Sequence, residues 1–156
     1  MRLTSSDEAD FITRDEFKKG RKFEYDLADT LRALGYEVYH NHQLPDLFVV
    51  KEGQAFFIEC KAKDRMDYHP ATGYDLHSHE RYKKAGQLTG VPVIVAFREN
   101  NGDTYAQTLK RLCERVYKDF TDKRSGQRLI TFDIDAFLDV NKDTNWRFIL
   151  RREEVF

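Results

Sequence analysis

Apolar positions along the chain recur first with a helical period and then with that of strands. Phe17, Glu24, Leu27, Leu31 and Leu34 follow one another at three-, four- and seven-residue steps, which places them on one helical stripe facing an interior. Thr13 followed by Glu16 has the spacing of a capping box, so a helix is expected from Thr13 to about Leu34, with Gly35 as its stop. Met1 to Ile12 form a mixed, acidic lead-in. Glu37 to His40, Leu47 to Val50 and Ala55 to Ala62 carry the β-branched and aromatic enrichment of strands. The last two should form a hairpin through Lys51-Glu52-Gly53-Gln54.

A polar loop from Asp64 to about Asp75 follows, then a helix from Ser78 to Leu88 ending near Gly90, then a buried strand from Val93 to Phe97. Tyr105, Leu109, Leu112, Val116 and Phe120 predict a third amphipathic helix, with Asp103 or Thr104 as its cap. Leu129 to Ile134 reads as a strand, Asp135 to Val140 as a short helix and Arg147 to Leu150 as a short strand. The order of the first six elements is α-β-β-β-α-β, and it implies an α/β architecture with a mixed central sheet flanked by helices. One domain over residues 1–156 is expected, with its core at about 13–97 and a C-terminal extension at about 103–156.

Composition narrows the function. Apolar residues make up 40% of the chain and charged residues 34%, which suits a folded domain with a polar surface. The formal net charge of −1 gives no global positive field, so any nucleic-acid contact must be local. The basic clusters at Lys18, Lys19, Arg21 and Lys22, at Arg81, Lys83 and Lys84, and at Lys123, Arg124 and Arg128 each read first as solvated surface. Cys60 and Cys113 form no CxxC pair and no secretory signal stands before them, which predicts free thiols in a reducing cytoplasm. Val91 to Phe97 is far too short to span a membrane.

The chemistry concentrates around Pro45-Asp46 and Glu59-Cys60-Lys61. Side chains alternate along a strand, so Phe57, Glu59, Lys61 and Lys63 share one face while Phe56, Ile58, Cys60 and Ala62 share the other. The hairpin sets Asp46 beside Glu59. Two converging carboxylates repel unless a cation or proton intervenes, and hard oxygen ligands suit Mg²⁺ or Mn²⁺ better than zinc. Such an ion would polarise a phosphate oxygen while Lys61 orients the attacking water, and the Cys60 carbonyl is a further candidate ligand.

At these residues the sequence resembles the PD-(D/E)xK nuclease superfamily, the restriction-endonuclease-like fold, over roughly Thr13 to Phe97. The resemblance implies an α-β-β-β-α-β core, an acidic pair that binds metal and a lysine that assists the attacking water. Within the superfamily the first helix is similar to that of archaeal Holliday-junction resolvases, and Glu24 stands at their helix glutamate. Its place on the apolar stripe also marks it as a carboxylate in need of a partner, so it is read as a further metal or water ligand. Gln87 stands where several such nucleases face the phosphates, and Lys83 lies four residues earlier; with Lys63 these are the candidate substrate contacts. The Gln-x-x-x-Tyr pattern of the RecB-like branch is not met, because Val91 occupies the tyrosine position.

The function expected is a metal-dependent deoxyribonuclease selective for junctions, flaps or ends, with a homodimer supplying two cuts. The rivals are a type II restriction-like endonuclease reading bases through the Asp64 to Asp75 loop or the region after Asn100, and an inactive nuclease fold kept as a nucleic-acid-binding or assembly module. His40 with His42 and His77 with His79 lack flanking cysteines at zinc spacing and read as surface residues, with a substrate-side role left open for His77 and His79. Tyr68 and Tyr74 make the Asp64 to Asp75 loop either a clamp on bases or a polar connector.

Overall fold

In a computed structural model, which describes residues 5–43 and 45–151, a six-stranded mixed sheet separates two apolar cores. The chain runs α1 (Ser5–Ala33), β1 (Glu37–His40), β2 (Leu47–Lys51), β3 (Gln54–Ala62), β4 (Ala71–Asp75), α2 (Leu76–Thr89), β5 (Val93–Arg98), β6 (Thr104–Thr108), α3 (Leu109–Cys113), β7 (Val116–Thr121), β8 (Arg128–Asp133), β9 (Leu138–Asp139) and α4 (Asp143–Ile149). The large sheet has the order β1-β2-β3-β5-β6-β9, and a second sheet has the order β4-β8-β7. β3 and β5 are parallel, with α2 in the crossover between them; every other pairing is antiparallel. Both faces of the central strands are therefore covered, and Val93 to Phe97 is buried without interruption.

On one face α1 contributes Phe23, Leu27, Ala28 and Leu31 to a core shared with Phe56, Ile58, Cys60 and the Trp146, Ile149 and Leu150 side chains. On the other, Phe97, Val95 and Tyr105 meet Tyr82 of α2, Leu109 and Leu112 of α3 and Tyr74, Ile130 and Phe132 of the second sheet. The β2–β3 hairpin closes with Lys51 opposite Gln54, leaving the two-residue turn Glu52-Gly53 at φ 52° and 79°. These are the left-handed conformations of a type I′ turn, which matches the twist of the strands. α2 begins where Asp75 accepts from the Ser78 amide at 2.8 Å and ends at Gly90, at φ 71°.

Several expectations are corrected. α1 starts upstream of Thr13, since nothing between Ser5 and Ile12 breaks a helix, and Thr13 is interior to it. Phe17 is 60% exposed, with the Arg21 guanidinium 5.1 Å from its ring centroid. Ala71 to Asp75 is not loop but strand β4. The third helix is instead strand β6, the short α3 and strand β7: the helical spacing of Tyr105, Leu109 and Leu112 coincides with an unbroken buried run from Tyr105 to Leu109. The expected helix at Asp135 to Val140 is a 3-10 turn over Ile134–Ala136 followed by β9, and the expected strand at Arg147 to Leu150 lies in α4 and its C-terminal cap. Both thiols are free, Cys60 buried and Cys113 half-buried. No described helix is long and apolar enough to cross a membrane.

Candidate active site

The β2–β3 hairpin determines the centre of the site. Leu47 pairs with Ile58, so Asp46, one residue ahead of β2, falls beside Glu59 and Cys60. The Asp46 amide donates to Glu59 Oε1 at 3.1 Å, and the Cys60 amide donates to Asp46 Oδ2 at 2.9 Å. The turn that carries Asp46 is itself held, because the Asn41 amide donates to the Asp46 carbonyl and the Asn41 side chain to the Pro45 carbonyl. This is a rigid frame of backbone and side-chain bonds around two carboxylates.

Glu59 is 2% exposed. Burial, and then the charge of Asp46, push its carboxyl up to about 7, while Lys61 and Tyr82 act in the opposite direction. Lys61 Nζ lies 3.4 Å from Glu59 Oε2 and rests over the rings of Tyr74 and Tyr82, at 5.5 and 5.3 Å from their centroids. The Tyr82 hydroxyl donates to the same oxygen at 2.6 Å. Burial raises the Cys60 thiol well above its ordinary range, and the charges of Asp46, Glu59 and Glu24 add to the effect. All three carboxylates therefore act on one point of β3.

Glu24 is 7% exposed, and its Oε2 lies 2.6 Å from His40 Nδ1, with the His40 ring stacked on Tyr25. His40 Nε2 is buried without a hydrogen-bond partner among the described residues. The histidine reading is thus corrected at two positions: His40 is a partner of Glu24, and His79 is buried between Tyr74 and Cys113, 3.0 Å from the Tyr74 hydroxyl. Burial, assisted by Lys83, lowers His79 to about 4, so this imidazole is neutral at physiological pH. His42 and His77 are exposed.

The three other sequence candidates stand on α2 and just past the end of β3. Gln87 is exposed on α2, and Lys83 exerts its charge on His79 and Cys113. Lys63 Nζ donates to the Gly73 carbonyl at 2.7 Å and so ties the end of β3 to β4. The α2 residue that does reach the site, Tyr82, escaped the sequence reading. Its signal was the inward stripe that it forms with His79 and Gly86, three residues before and four after.

Among the described residues no three His, Cys, Asp or Glu side chains are gathered into a preformed metal cage. The donor set nevertheless fits a hard divalent cation of the magnesium type, which is held through one or two carboxylates and keeps several waters. Each carboxylate oxygen has two acceptor directions, so the bonds from the Asp46 amide and Tyr82 leave Glu59 acceptor capacity. Asp46, Glu59 and the Cys60 carbonyl are the groups that could hold such an ion.

No protein-family model matches the chain, and no curated protein matches it in sequence. Solved structures resemble it, among them an archaeal resolvase and a viral nuclease. Hjc, a Holliday junction resolvase from the archaeal hyperthermophile Archaeoglobus fulgidus, aligns with a TM-score of 0.59 at 14% identity, covering 81% of this chain and 96% of that one. A nuclease from a fusselovirus aligns with a TM-score of 0.47 at 10% identity, covering 97% and 95%. The likeness to Hjc shows that the two chains share a fold, a mixed central sheet flanked by helices.

Proposed function

We propose that the chain is a divalent-metal-dependent nuclease that hydrolyses DNA phosphodiesters, acting as a single domain. The observation that carries this reading is the frame in which Asp46 and Glu59 converge on Cys60, with the Lys61 ammonium 3.4 Å from Glu59. A buried carboxylate raised to about 7 by burial and a neighbouring acid is short of positive charge, and a bound cation would supply it. The fold shared with Hjc, a resolvase, supports the same class of reaction and makes branched DNA the favoured substrate.

In this reading Asp46, Glu59 and the Cys60 carbonyl hold Mg²⁺ or Mn²⁺, and Glu24 completes the acidic shell. The chemistry the ion supplies when bound is polarisation of a phosphoryl oxygen and acidification of water. Lys61 orients the attacking water and offsets the charge that grows on the phosphate oxygens. Its ammonium sits over the Tyr74 and Tyr82 rings, which restrict where it points. A homodimer would place two such sites on one junction.

One observation favours a second reading, a nuclease fold that binds nucleic acid without cutting it: Glu24 is already held by His40, and both oxygens of Glu59 have protein donors. Incubation of labelled duplex, single-stranded, flap and four-way-junction DNA with Mg²⁺ or Mn²⁺ separates the two. The nuclease reading expects metal-dependent cutting that Glu59→Ala and Lys61→Ala abolish. Binding without cutting by the wild-type chain would leave the second reading in its place.

A further inference from the structure

Beside the carboxylate frame, at the end of β3, lies a cleft of about 310 Å³ whose lining includes Lys19 and Lys22 of α1, Ala62, Arg98 of β5, Asn100 and Gly102. Its charge is unbalanced. The Asp26 carboxylate accepts from Lys22 at 3.0 Å and from Arg98 at 2.8 Å, Lys19 has no carboxylate partner among the described residues, and Asp64 accepts from Asn100, so the three cations outnumber these two acids. The acid in the lining itself, Glu99, is neutralised from outside the cleft: Arg65 grips it through Nε and Nη2 at 2.9 and 2.7 Å and through its backbone amide at 2.9 Å. The Arg98 guanidinium is held in place over the Phe23 ring, 4.8 Å from its centroid.

The cleft lies on the α1 face of the sheet, with Ala62, at the end of the strand whose other face carries Glu59 and Lys61. Ala62 stands three residues past Glu59 on β3, about 10 Å along the strand. Arg98 pairs with Ala62 across the sheet, and its charge opposes that of Asp46, Glu59 and Glu24 at the Cys60 thiol. A nucleic-acid strand presents one phosphate per about 3.4 Å of rise along the duplex axis, so a point about 10 Å away lies within about three nucleotides. Beyond the cleft, exposed Lys18 and Arg21 continue the positive surface along α1.

We propose that this cleft binds the phosphodiester backbone of the DNA strand within about three nucleotides of the bond that the carboxylate frame addresses, so that the strand leaves the site over α1. The route differs from one along α2, where Gln87 and Lys83 stand. The proposal rests on the nuclease reading for its register but not for its measurement.

Binding of fluorescently labelled duplex and four-way-junction DNA, followed by anisotropy without divalent metal across a salt series, tests it. The Lys19→Ala/Lys22→Ala double variant is compared with Lys83→Ala/Lys84→Ala, which removes the same charge from α2. Both α1 lysines are exposed, so the fold is retained. Two lost phosphate contacts should lower the slope of log K against log salt by about 1.8 and weaken binding by tens of fold at about 0.1 M salt, while the α2 variant stays within about twofold of wild type. The proposal is overturned by equal losses in the two variants, by an α1 variant that binds like wild type, or by a wild-type chain that binds no DNA. Cutting by wild type with unchanged binding by the α1 variant would sink the cleft alone. Loss of binding in the α1 variant, with no cutting by wild type, would sustain the cleft and remove the nuclease reading.

Discussion

The Tyr82 hydroxyl, carried by α2, donates a 2.6 Å hydrogen bond to Glu59 Oε2 on β3, 23 residues away in sequence. The phenol is fully buried, so neither group can turn to water if the other is removed. Hydrogen bonds to charged groups contribute about 1.5–3 kcal/mol. Tyr82→Phe keeps the ring beneath Lys61 and deletes only the donor. It should cost about 2 kcal/mol in denaturant unfolding at pH 8, where Glu59 is ionised, and distinctly less at pH 5, where it is protonated. Equal costs at both pH values would show that the bond does not depend on the charge of Glu59.

Glu59 also makes stability depend on pH. Its folded value of about 7 lies above the ordinary 4.5, so the native state binds the proton more tightly than the unfolded chain. Stability from this group is complete below about pH 4.5 and is lost as pH rises through 7, to about 3 kcal/mol in all. His79 works in the opposite sense: lowered from 6.5 to about 4, it removes stability as pH falls across that interval. The two overlap in wild type, and Glu59→Gln separates them. Metal-free Glu59→Gln should gain on wild type steadily between pH 5 and 8 in thermal melts. Parallel melting curves across that range would show that Glu59 does not titrate there.

Gly73 joins β4 to β8 so closely that a Cβ built on it would lie 1.9 Å from the Ile130 carbonyl oxygen and 2.7 Å from the Thr131 Cα. Both are backbone atoms of a paired strand and have little freedom to yield. Gly73→Ala should therefore cost about 3 kcal/mol or more, above the usual range for overpacking, because a ladder and not a side chain must move. The same shift loosens the Gly73 carbonyl that holds Lys63. A variant that melts within about 1 kcal/mol of wild type would mean that β4 and β8 are free to part at that point.

These positions also explain what was legible in the sequence. The Asp46, Glu59 and Lys61 frame follows from local rules, since strand alternation and a two-residue turn determine which side chains meet. β4 was hidden because Ala71-Thr72-Gly73-Tyr74 has the composition of a turn, and its glycine is needed for contact with a strand more than fifty residues on. Tyr105 to Phe120 misled because a strand buried on both faces, followed by one helical turn, satisfies a helical spacing by coincidence. Tyr82 and His40 reach Glu59 and Glu24 only through the tertiary fold, and no local period announces such pairs.

The Glu24–His40 contact decides whether α1 belongs to the acidic shell. At 2.6 Å the imidazole already satisfies one carboxylate oxygen, and a cation would compete with it for the remaining lone pairs. If Glu24 serves the ion, His40→Ala frees the carboxylate, and the rise in Tm on adding Mn²⁺ should exceed that of wild type. The metal-free variant should also be less stable by about 2 kcal/mol, since a buried acid has lost its partner. Glu24→Gln should shrink the Mn²⁺-induced rise, because a weaker site adds less of the binding free energy that ligands lend to the native state. If both variants show the wild-type rise while Glu59→Gln abolishes it, Glu24 is a structural partner of His40, and the ion is held from β2 and β3 alone.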